Sequence, residues 1–165
     1  MPLEIMTERQ GIVLRQFVPS VARPLFELIE CNRSHLSQHL DETSAKYPDY
    51  ESVLQSIVDP PQPERLRFGV WDKDELVGAL SLHRMIRATE LGYWIGSQYT
   101  GRGYATTAAR AACAYATQEL GVTLLVAFTH KDNLVSQGVL RRCGFEGGHR
   151  ASFTADTALA FRRGV

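Results

Sequence analysis

The stretch Gln98-Tyr99-Thr100-Gly101-Arg102-Gly103-Tyr104-Ala105, called here the glycine loop, says most about the fold. It lies between a strand-like run, Glu90 to Ile95, and an alanine-rich, helix-like run, Tyr104 to Leu120. The paired glycines permit a turn whose N–H groups point the same way, and the following helix adds the positive end of its dipole. The junction therefore predicts an anion site built mainly from main chain, of the kind that holds a pyrophosphate. Good helix propensity alone is the alternative explanation of the alanines.

The rest of the chain predicts a single domain over residues 1–165. The pattern favours an α/β (α+β) fold: a mixed, mostly antiparallel sheet of about seven strands, flanked by about four helices. Asp72-Lys73-Asp74-Glu75 has the length and composition of a hairpin turn. The predicted strands are Gly11 to Val18, Arg65 to Trp71, Leu76 to Met85, Glu90 to Ile95, Val122 to Thr129, and two between Phe145 and Arg163; the predicted helices are Pro19 to Asn32, Arg33 to Leu40, Tyr50 to Val58, Tyr104 to Leu120, and Asn133 to Cys143.

Composition disfavours several classes of function. The net charge is zero, with 18 basic and 18 acidic residues, which disfavours a nucleic-acid-binding module or a membrane-surface protein. We expect neither a signal peptide nor a membrane span, and no metal site, because no cluster has ligand spacing. Cys31, Cys113 and Cys143 are odd in number and lie among apolar residues. They predict reduced thiols and a cytoplasmic protein.

Three motifs together resemble a known family. Leu91-Gly92-Tyr93-Trp94-Ile95 precedes the glycine loop, and Asn133-x-x-Ser136-x-x-Val139-Leu140 follows it and ends in Gly144-Phe145. The chain from about Gly11 to the C-terminus resembles the GNAT superfamily of N-acetyltransferases, and most closely its ribosomal-protein N-terminal acetyltransferase branch. The resemblance implies the GNAT fold and transfer of acetyl from acetyl-CoA, without a metal, to a primary amine.

The resemblance also implies where the cofactor binds. Two strands should separate, so that the pantetheine arm lies along a strand edge as an extra pairing partner. The main chain around Trp94 to Gly96 would bind pantetheine and polarise the thioester carbonyl. Gln98 and the backbone from Gly101 to Ala105 would hold the pyrophosphate. The full set of expected cofactor contacts is Trp94, Ile95, Gly96, Gln98, Gly101, Arg102, Gly103, Tyr104, Ala105, Asn133 and Ser136.

Two residues are the candidates for catalytic proton transfer. Glu90 faces the same side of its strand as Gly92 and Trp94, which makes it a candidate general base; the alternative is a strand-edge carboxylate that holds a neighbour. Ser136 is the candidate acid for the departing thiolate, because Leu140 occupies the position where many members of the family carry a tyrosine. The alternative for this region is helix capping, by Asp132 or Asn133.

The acceptor is not named by the sequence. By resemblance, Arg33, His35 and Tyr50 bind it, with His39 and Tyr47 nearby. We expect the α-amine of a protein N-terminus or of an amino-acid-like molecule, acetylated by direct attack in a ternary complex because no activated nucleophile is visible. The alternative is a non-catalytic acyl-CoA-binding or regulatory domain. A homodimer is compatible with the sequence, which contains no specific indication of one.

Overall fold

A computed structural model describes residues 1–38, 41–150 and 158–164. These residues form one sheet of eight strands in the order β1-β2-β3-β4-β5-β6-β8-β7. The sheet confirms the predicted mixed, mostly antiparallel architecture. The strands are β1 (Glu4–Met6), β2 (Ile12–Gln16), β3 (Arg65–Asp72), β4 (Glu75–Arg84), β5 (Thr89–Ile95), β6 (Leu124–His130), β7 (Glu146–Arg150) and β8 (Ala158–Gly164).

The helices cover both faces of the sheet. Those of the described residues are α1 (Ala22–Cys31), α2 (Arg33–Leu36), α3 (Thr43–Lys46), α4 (Tyr50–Val58), α5 (Tyr104–Gln118) and α6 (Leu134–Arg142). Two short 3-10 turns are present: Pro19–Val21 precedes α1, and Ser97–Tyr99 forms the start of the glycine loop. No helix among the described residues is long and apolar enough to cross a membrane.

The core has two parts, one on each face of the sheet. The larger packs α5 and α6 against β4, β5 and β6. Four alanines of α5 are fully buried there, at positions 108, 109, 112 and 116, so the small side chains let α5 lie close to the sheet. The smaller packs α1 and α4 against the other face, with Trp71 and Trp94 at its margin.

All neighbouring strands pair antiparallel except β5 and β6. This parallel pair is short: only Thr89 and Glu90 of β5 have partners, Leu125 and Val126 of β6. Beyond them β6 continues its pairing with β8 through His130. The two central strands therefore separate after Glu90 and leave a cleft, as the family resemblance implied.

Three local predictions needed correction. A first strand, β1, was not predicted, because three residues are too few to show alternation; its pairing with β2 defines it. The stretch from Asp41 to Asp49 contains a short helix, α3. The helix predicted from Arg33 to Leu40 ends at Leu36, and His39 lies outside the described residues.

Candidate active site

The open edge of β5 is where an extended ligand can pair with the sheet. Gly96 N–H donates to Val77 O at 2.9 Å, which sets the phase of the β4–β5 ladder. Hydrogen-bonded pairs alternate along an antiparallel ladder, so Trp94 also directs its N–H and C=O towards β4. Tyr93 and Ile95 direct theirs towards the cleft. The main-chain groups of Trp94 and Gly96, which were expected to contact the cofactor, are thus hydrogen-bonded to β4. The main-chain groups that face the cleft are those of Tyr93 and Ile95.

His35 closes part of this edge. Its Nε2 lies 3.2 Å from Ile95 O, and since a carbonyl only accepts, Nε2 carries the proton. The predicted acceptor residue therefore caps the end of the β5 edge, beside the glycine loop.

The glycine loop has the backbone that the sequence predicted. Gly101 and Gly103 have φ of +77° and +81°, a region that side-chain-bearing residues avoid. Gly103 is the N-cap of α5 and offers no side chain to the first turn. Among the described residues, no partner is recorded for the first N–H groups of this helix, so they and the helix dipole face an exposed loop. These features fit a pyrophosphate.

Buried Asn32, only 1 % exposed, holds the start of the loop. Its Oδ1 accepts from Ser97 N at 2.7 Å, and its Nδ2 donates to Leu28 O at 2.9 Å and to Gln98 Oε1 at 3.2 Å. Gln98, expected at the pyrophosphate, thus has its side-chain oxygen engaged with Asn32. Asn32 ties the loop to α1.

Two tyrosines hold the loop to the β3–β4 hairpin. Tyr99 donates to Glu75 Oε1 and Tyr104 donates to Asp72 Oδ2, both at 2.5 Å. These hydrogen bonds to carboxylates are the largest cause of the raised pKa of both phenols, which for Tyr99 reaches about 12.

A second arginine joins Arg102 at the loop. Arg9 Nη1 donates to Arg102 O at 2.7 Å, and its guanidinium lies over the Tyr104 ring. The loop therefore has two cationic side chains beside its main-chain donors, only one of which the sequence indicated.

Ser136 forms a pair with Tyr93. Their hydroxyls lie 2.9 Å apart, and Tyr93 Oη also lies 3.2 Å from Ser136 O. Burial raises the pKa of Tyr93 to about 12, so the phenol stays protonated at neutral pH, and its one proton can be donated to Ser136 O or to Ser136 Oγ. Donation to Ser136 Oγ leaves the Ser136 proton for a third atom. Asn133 caps α6, since its Oδ1 accepts from Ser136 N at 3.1 Å, and Leu140 is buried in the core.

Glu90 lies at the base of the cleft. It is the last β5 residue paired to β6, and its side chain is 32 % exposed. Its Oε2 is 3.9 Å from His83 Nδ1, but that nitrogen already accepts from Arg65 Nη2 at 3.0 Å. A guanidinium only donates, so Nδ1 accepts in this hydrogen bond and does not donate to the Glu90 carboxylate.

A cavity of about 540 Å³ lies on the sheet face opposite α5. We call it the β3–β5 cavity: Arg65 and Arg67 of β3, Ser81 of β4, and Gly92 and Trp94 of β5 line its floor. Residues of α1 and α3 and the proline-rich connector around Pro60 complete its walls. The cavity therefore reaches Gly92 to Trp94 of β5. The open edge of this same segment faces the cleft between β5 and β6.

The structure does not bring all predicted acceptor residues to this cavity. Arg33 donates to the carbonyls of Ser44, Tyr47 and Pro48 and pairs with Glu30, so it holds the α3 segment in place. Tyr50 packs beneath the Arg23 guanidinium and against Phe26. Tyr47 does line the cavity.

The cysteines are only partly as predicted. Cys113 and Cys143 are buried, but Cys31 is exposed at the end of α1. Burial raises the pKa of Cys113 to about 11 and also raises the pKa of Cys143, which makes both thiols poor nucleophiles. No group of side chains in the described ranges could hold a metal ion.

Sequence reasoning missed Tyr93, Asn32 and Arg9. Tyr93 was placed correctly on its strand face, but nothing local showed that α6 would cross there. Asn32 gave one signal, a polar residue at the end of an amphipathic helix. Arg9 lies more than 90 positions before the loop it contacts, and no sequence pattern connects the two.

Comparisons with known proteins agree with this geometry. A family model described as "Acetyltransferase (GNAT) domain" matches residues 12–146. YdaF of Bacillus subtilis (strain 168), whose name proposes a ribosomal N-acetyltransferase, is 29% identical over 145 residues, which cover 82% of this chain and 78% of YdaF.

Solved structures show the same fold. RimL, a ribosomal L7/L12 alpha-N-protein acetyltransferase in complex with coenzyme A, matches with a TM-score of 0.83 at 19% identity, covering 98% of each chain. A ribosomal-protein-S5-alanine acetyltransferase from Vibrio fischeri matches with a TM-score of 0.82 at 19% identity, covering 96% of each chain. The chain belongs to the GNAT family and is an acetyltransferase that transfers acetyl from acetyl-CoA to an amine.

Proposed function

We infer that the acceptor is an α-amine, at a protein N-terminus or on an amino-acid-like molecule, and that it attacks the thioester directly. One observation carries this proposal: the β3–β5 cavity and the open edge of β5 share the segment Gly92–Trp94. A thioester laid along that edge and an amine held in the cavity meet at β5. Gly92 leaves space there, since a Cβ at this position would meet only the Ser81 hydroxyl, at 3.2 Å.

The cofactor side of the site is built from main chain. Acetyl-CoA supplies the activated acyl group. The N–H groups of Tyr93 and Ile95 would hold its pantetheine arm and polarise the acyl carbonyl, while the N–H groups from Gly101 to Ala105, with Arg102 and Arg9, would hold the pyrophosphate. Ser136, oriented by Tyr93, would donate a proton to the departing sulfur.

The proton chemistry favours an α-amine over a lysine side chain. At pH 7, deprotonation costs about 4.6 kcal/mol for a lysine-like amine of pKa about 10.4 and about 1 kcal/mol for an α-amine near 7.75. Glu90, two residues before the cavity-lining Gly92 on β5, is the candidate base. At pH 7 the α-amine is still mostly protonated, but its deprotonation costs so little that a single side-chain carboxylate suffices as the base.

The relatives support the same acceptor. RimL and the Vibrio fischeri protein are named as acetyltransferases of ribosomal proteins, and RimL as an alpha-N-protein enzyme. We expect the N-terminal residues of a peptide to enter the β3–β5 cavity, whose volume is about 540 Å³. The non-catalytic alternative is not favoured, because the named relatives are acetyltransferases.

The test compares kcat/KM, by release of free CoA thiol, for two peptides of one sequence. One has a free N-terminus and no lysine; the other is blocked at the N-terminus and contains one internal lysine. We expect the free N-terminus to be preferred by at least about 100-fold, from the difference in deprotonation cost. Preference for the lysine peptide would refute the α-amine proposal, and absence of thiol release with every amine would favour the non-catalytic alternative.

Glu90→Gln provides the matched variant. If Glu90 is the base, activity should fall most at low pH and approach that of the wild type above about pH 9, where the α-amine is already neutral. An equal loss at every pH would assign Glu90 a positioning role.

A further inference from the structure

Arg65 and Arg67 stand out among the arginines of this chain because they face a cavity without a carboxylate partner. They are two positions apart on β3 and so project from the same face of the sheet. Elsewhere, Arg15, Arg33 and Arg110 each pair with a glutamate. Within the described ranges, no such pair is recorded for the two that line the β3–β5 cavity.

Both guanidiniums are bound by groups other than carboxylates. Arg67 donates to Ser56 O at 2.8 Å, to Ser56 Oγ at 3.2 Å and to Tyr47 Oη at 3.1 Å. Arg65 donates to His83 Nδ1, and its Nε is buried without a hydrogen-bond partner among the described residues. Glu64 and Glu90 approach the His83 ring, at 3.3 Å and 3.9 Å, but neither is ion-paired directly to a guanidinium.

The surroundings make the guanidinium charge costly. The Arg67 guanidinium lies 4.7 Å from the centre of the Phe17 ring, and burial, with a further contribution from the charge of Arg65, lowers its pKa. Asp41 and Lys46 also line the cavity, but Asp41 accepts from Thr43 N and Lys46 pairs with Glu42. Buried cations are normally matched by an anion. No direct ion pair to Arg65 or Arg67 occurs in the part of the chain that the structure describes, so a carboxylate carried by a ligand in the cavity would supply one.

We propose that Arg65 and Arg67 form an anion subsite that binds a carboxylate carried by the acceptor. This inference rests on the proposed function, because it places the acceptor amine at β5. Arg67, Ser81 and Gly92 are register partners across β3, β4 and β5, so β3 lies two strand spacings, or roughly 10 Å, from the β5 segment. An extended peptide covers that distance in about three residues. The subsite thus selects acceptors with an acidic group near the amine.

Peptides that differ at one position test the proposal. The series has a free N-terminal serine, and carries Asp, Asn or Lys at the second or the third residue. We expect kcat/KM for the Asp peptide to exceed that for Asn at least about tenfold at one of the two positions, with Lys lowest, since charge-assisted bonds to guanidinium are strong.

Variants assign the preference to the cavity. Arg65→Gln should remove most of the Asp-over-Asn preference while the Asn peptide is still acetylated. Arg67→Gln should do the same, and thermal unfolding will show whether its loss loosens α4. Arg87→Gln, an exposed arginine in the β4–β5 turn, removes the same charge outside the cavity and should leave the preference unchanged.

Binding provides a readout that does not need turnover. Calorimetry of the same peptides with the CoA-loaded protein should give the same order, Asp above Asn above Lys. Equal affinities and equal kcat/KM for Asp and Asn would overturn the anion subsite while leaving the α-amine proposal intact. Failure of every peptide to turn over, with Asp still bound best, would refute the proposed function and support the subsite.

Discussion

The two ends of the site are built differently. The glycine loop uses main-chain groups of consecutive residues, and its side chains serve mostly to hold it in place. The β3–β5 cavity uses side chains from α1, α3, the proline-rich connector and three strands. Under the proposed function, the first end would bind the invariant pyrophosphate and the second an acceptor that varies between enzymes. A pyrophosphate needs only N–H groups and positive charge, whereas recognition of one acceptor among many amines needs specific side chains.

The largest expected effect breaks the backbone end. Gly101→Val should weaken CoA binding about 30-fold or more, because a left-handed φ costs a side-chain-bearing residue about 1–2 kcal/mol, and a β-branched one more. A Cβ at Gly101 would meet nothing within 4 Å, so backbone conformation and not a clash within the protein causes the loss. Calorimetry with CoA measures it.

Gly121→Val is its matched control. Gly121 also has positive φ, +65°, and open space around a Cβ, but it follows the far end of α5, about 22 Å away for 15 residues of helix. It should cost similar stability and leave CoA affinity nearly unchanged. Unchanged affinity in a folded Gly101→Val protein would contradict the predicted role of the loop.

A smaller effect is expected where side chains act on the cofactor end. Ser136→Ala should lower kcat about tenfold and leave CoA affinity within about twofold. For a thiol of pKa about 8.5, releasing the thiolate unprotonated at pH 7 costs about 2 kcal/mol, so an acid gains at most about 30-fold. Tyr93→Phe should show the same split between kcat and affinity, because it leaves Ser136 unoriented. If kcat is the same in Ser136→Ala and in the wild type, Ser136 is a packing residue and not the acid.

Asn32→Ala tests how much a distant side chain supports the loop. It removes the acceptor of the part-buried Ser97 N–H, and loss of such a hydrogen bond costs about 0.5–1.5 kcal/mol of stability. CoA affinity should fall a few fold as the loop loosens. Thr117→Ala, which removes a hydroxyl bond to Ala114 O further along α5, is the control and should leave affinity unchanged. If both variants behave alike, the loop does not depend on Asn32.

The smallest effect concerns the alkaline stability of the Tyr93–Ser136 pair. The pKa of Tyr93 is raised from 10.0 to about 12 in the folded protein. Its contribution is therefore fully present below pH 10 and is lost as the pH rises towards 12, because the unfolded phenol ionises first. Between these values, the free energy of unfolding of the wild type should fall more steeply than that of Tyr93→Phe, by up to about 1.4 kcal/mol per pH unit. Denaturant titrations at several pH values measure both slopes, and parallel slopes would show that the folded phenol is not protected.

The elements were largely predictable because each has a local cause. Alternation predicted β6, whose burial alternates along its length, and the paired glycines predicted the start of α5. The arrangement was predictable where it is local, in the backbone of the glycine loop, where Gly101 and Gly103 adopt positive φ. It was not where partners come from afar: Tyr93 meets Ser136 across 43 positions, and Asn32 meets Ser97 across 65.

The sequence by itself determined most strands and helices and the left-handed backbone of the glycine loop, because hydrophobic period, turn chemistry and glycine conformation act over a few residues. Only the tertiary structure decided which main-chain groups of β5 remain open, since that depends on the phase of the β4–β5 ladder and on where β6 departs. It also decided that Arg33 holds α3 while Arg65 and Arg67 face the cavity. These three arginines differ in what the folded chain brings beside them, and no local pattern records that.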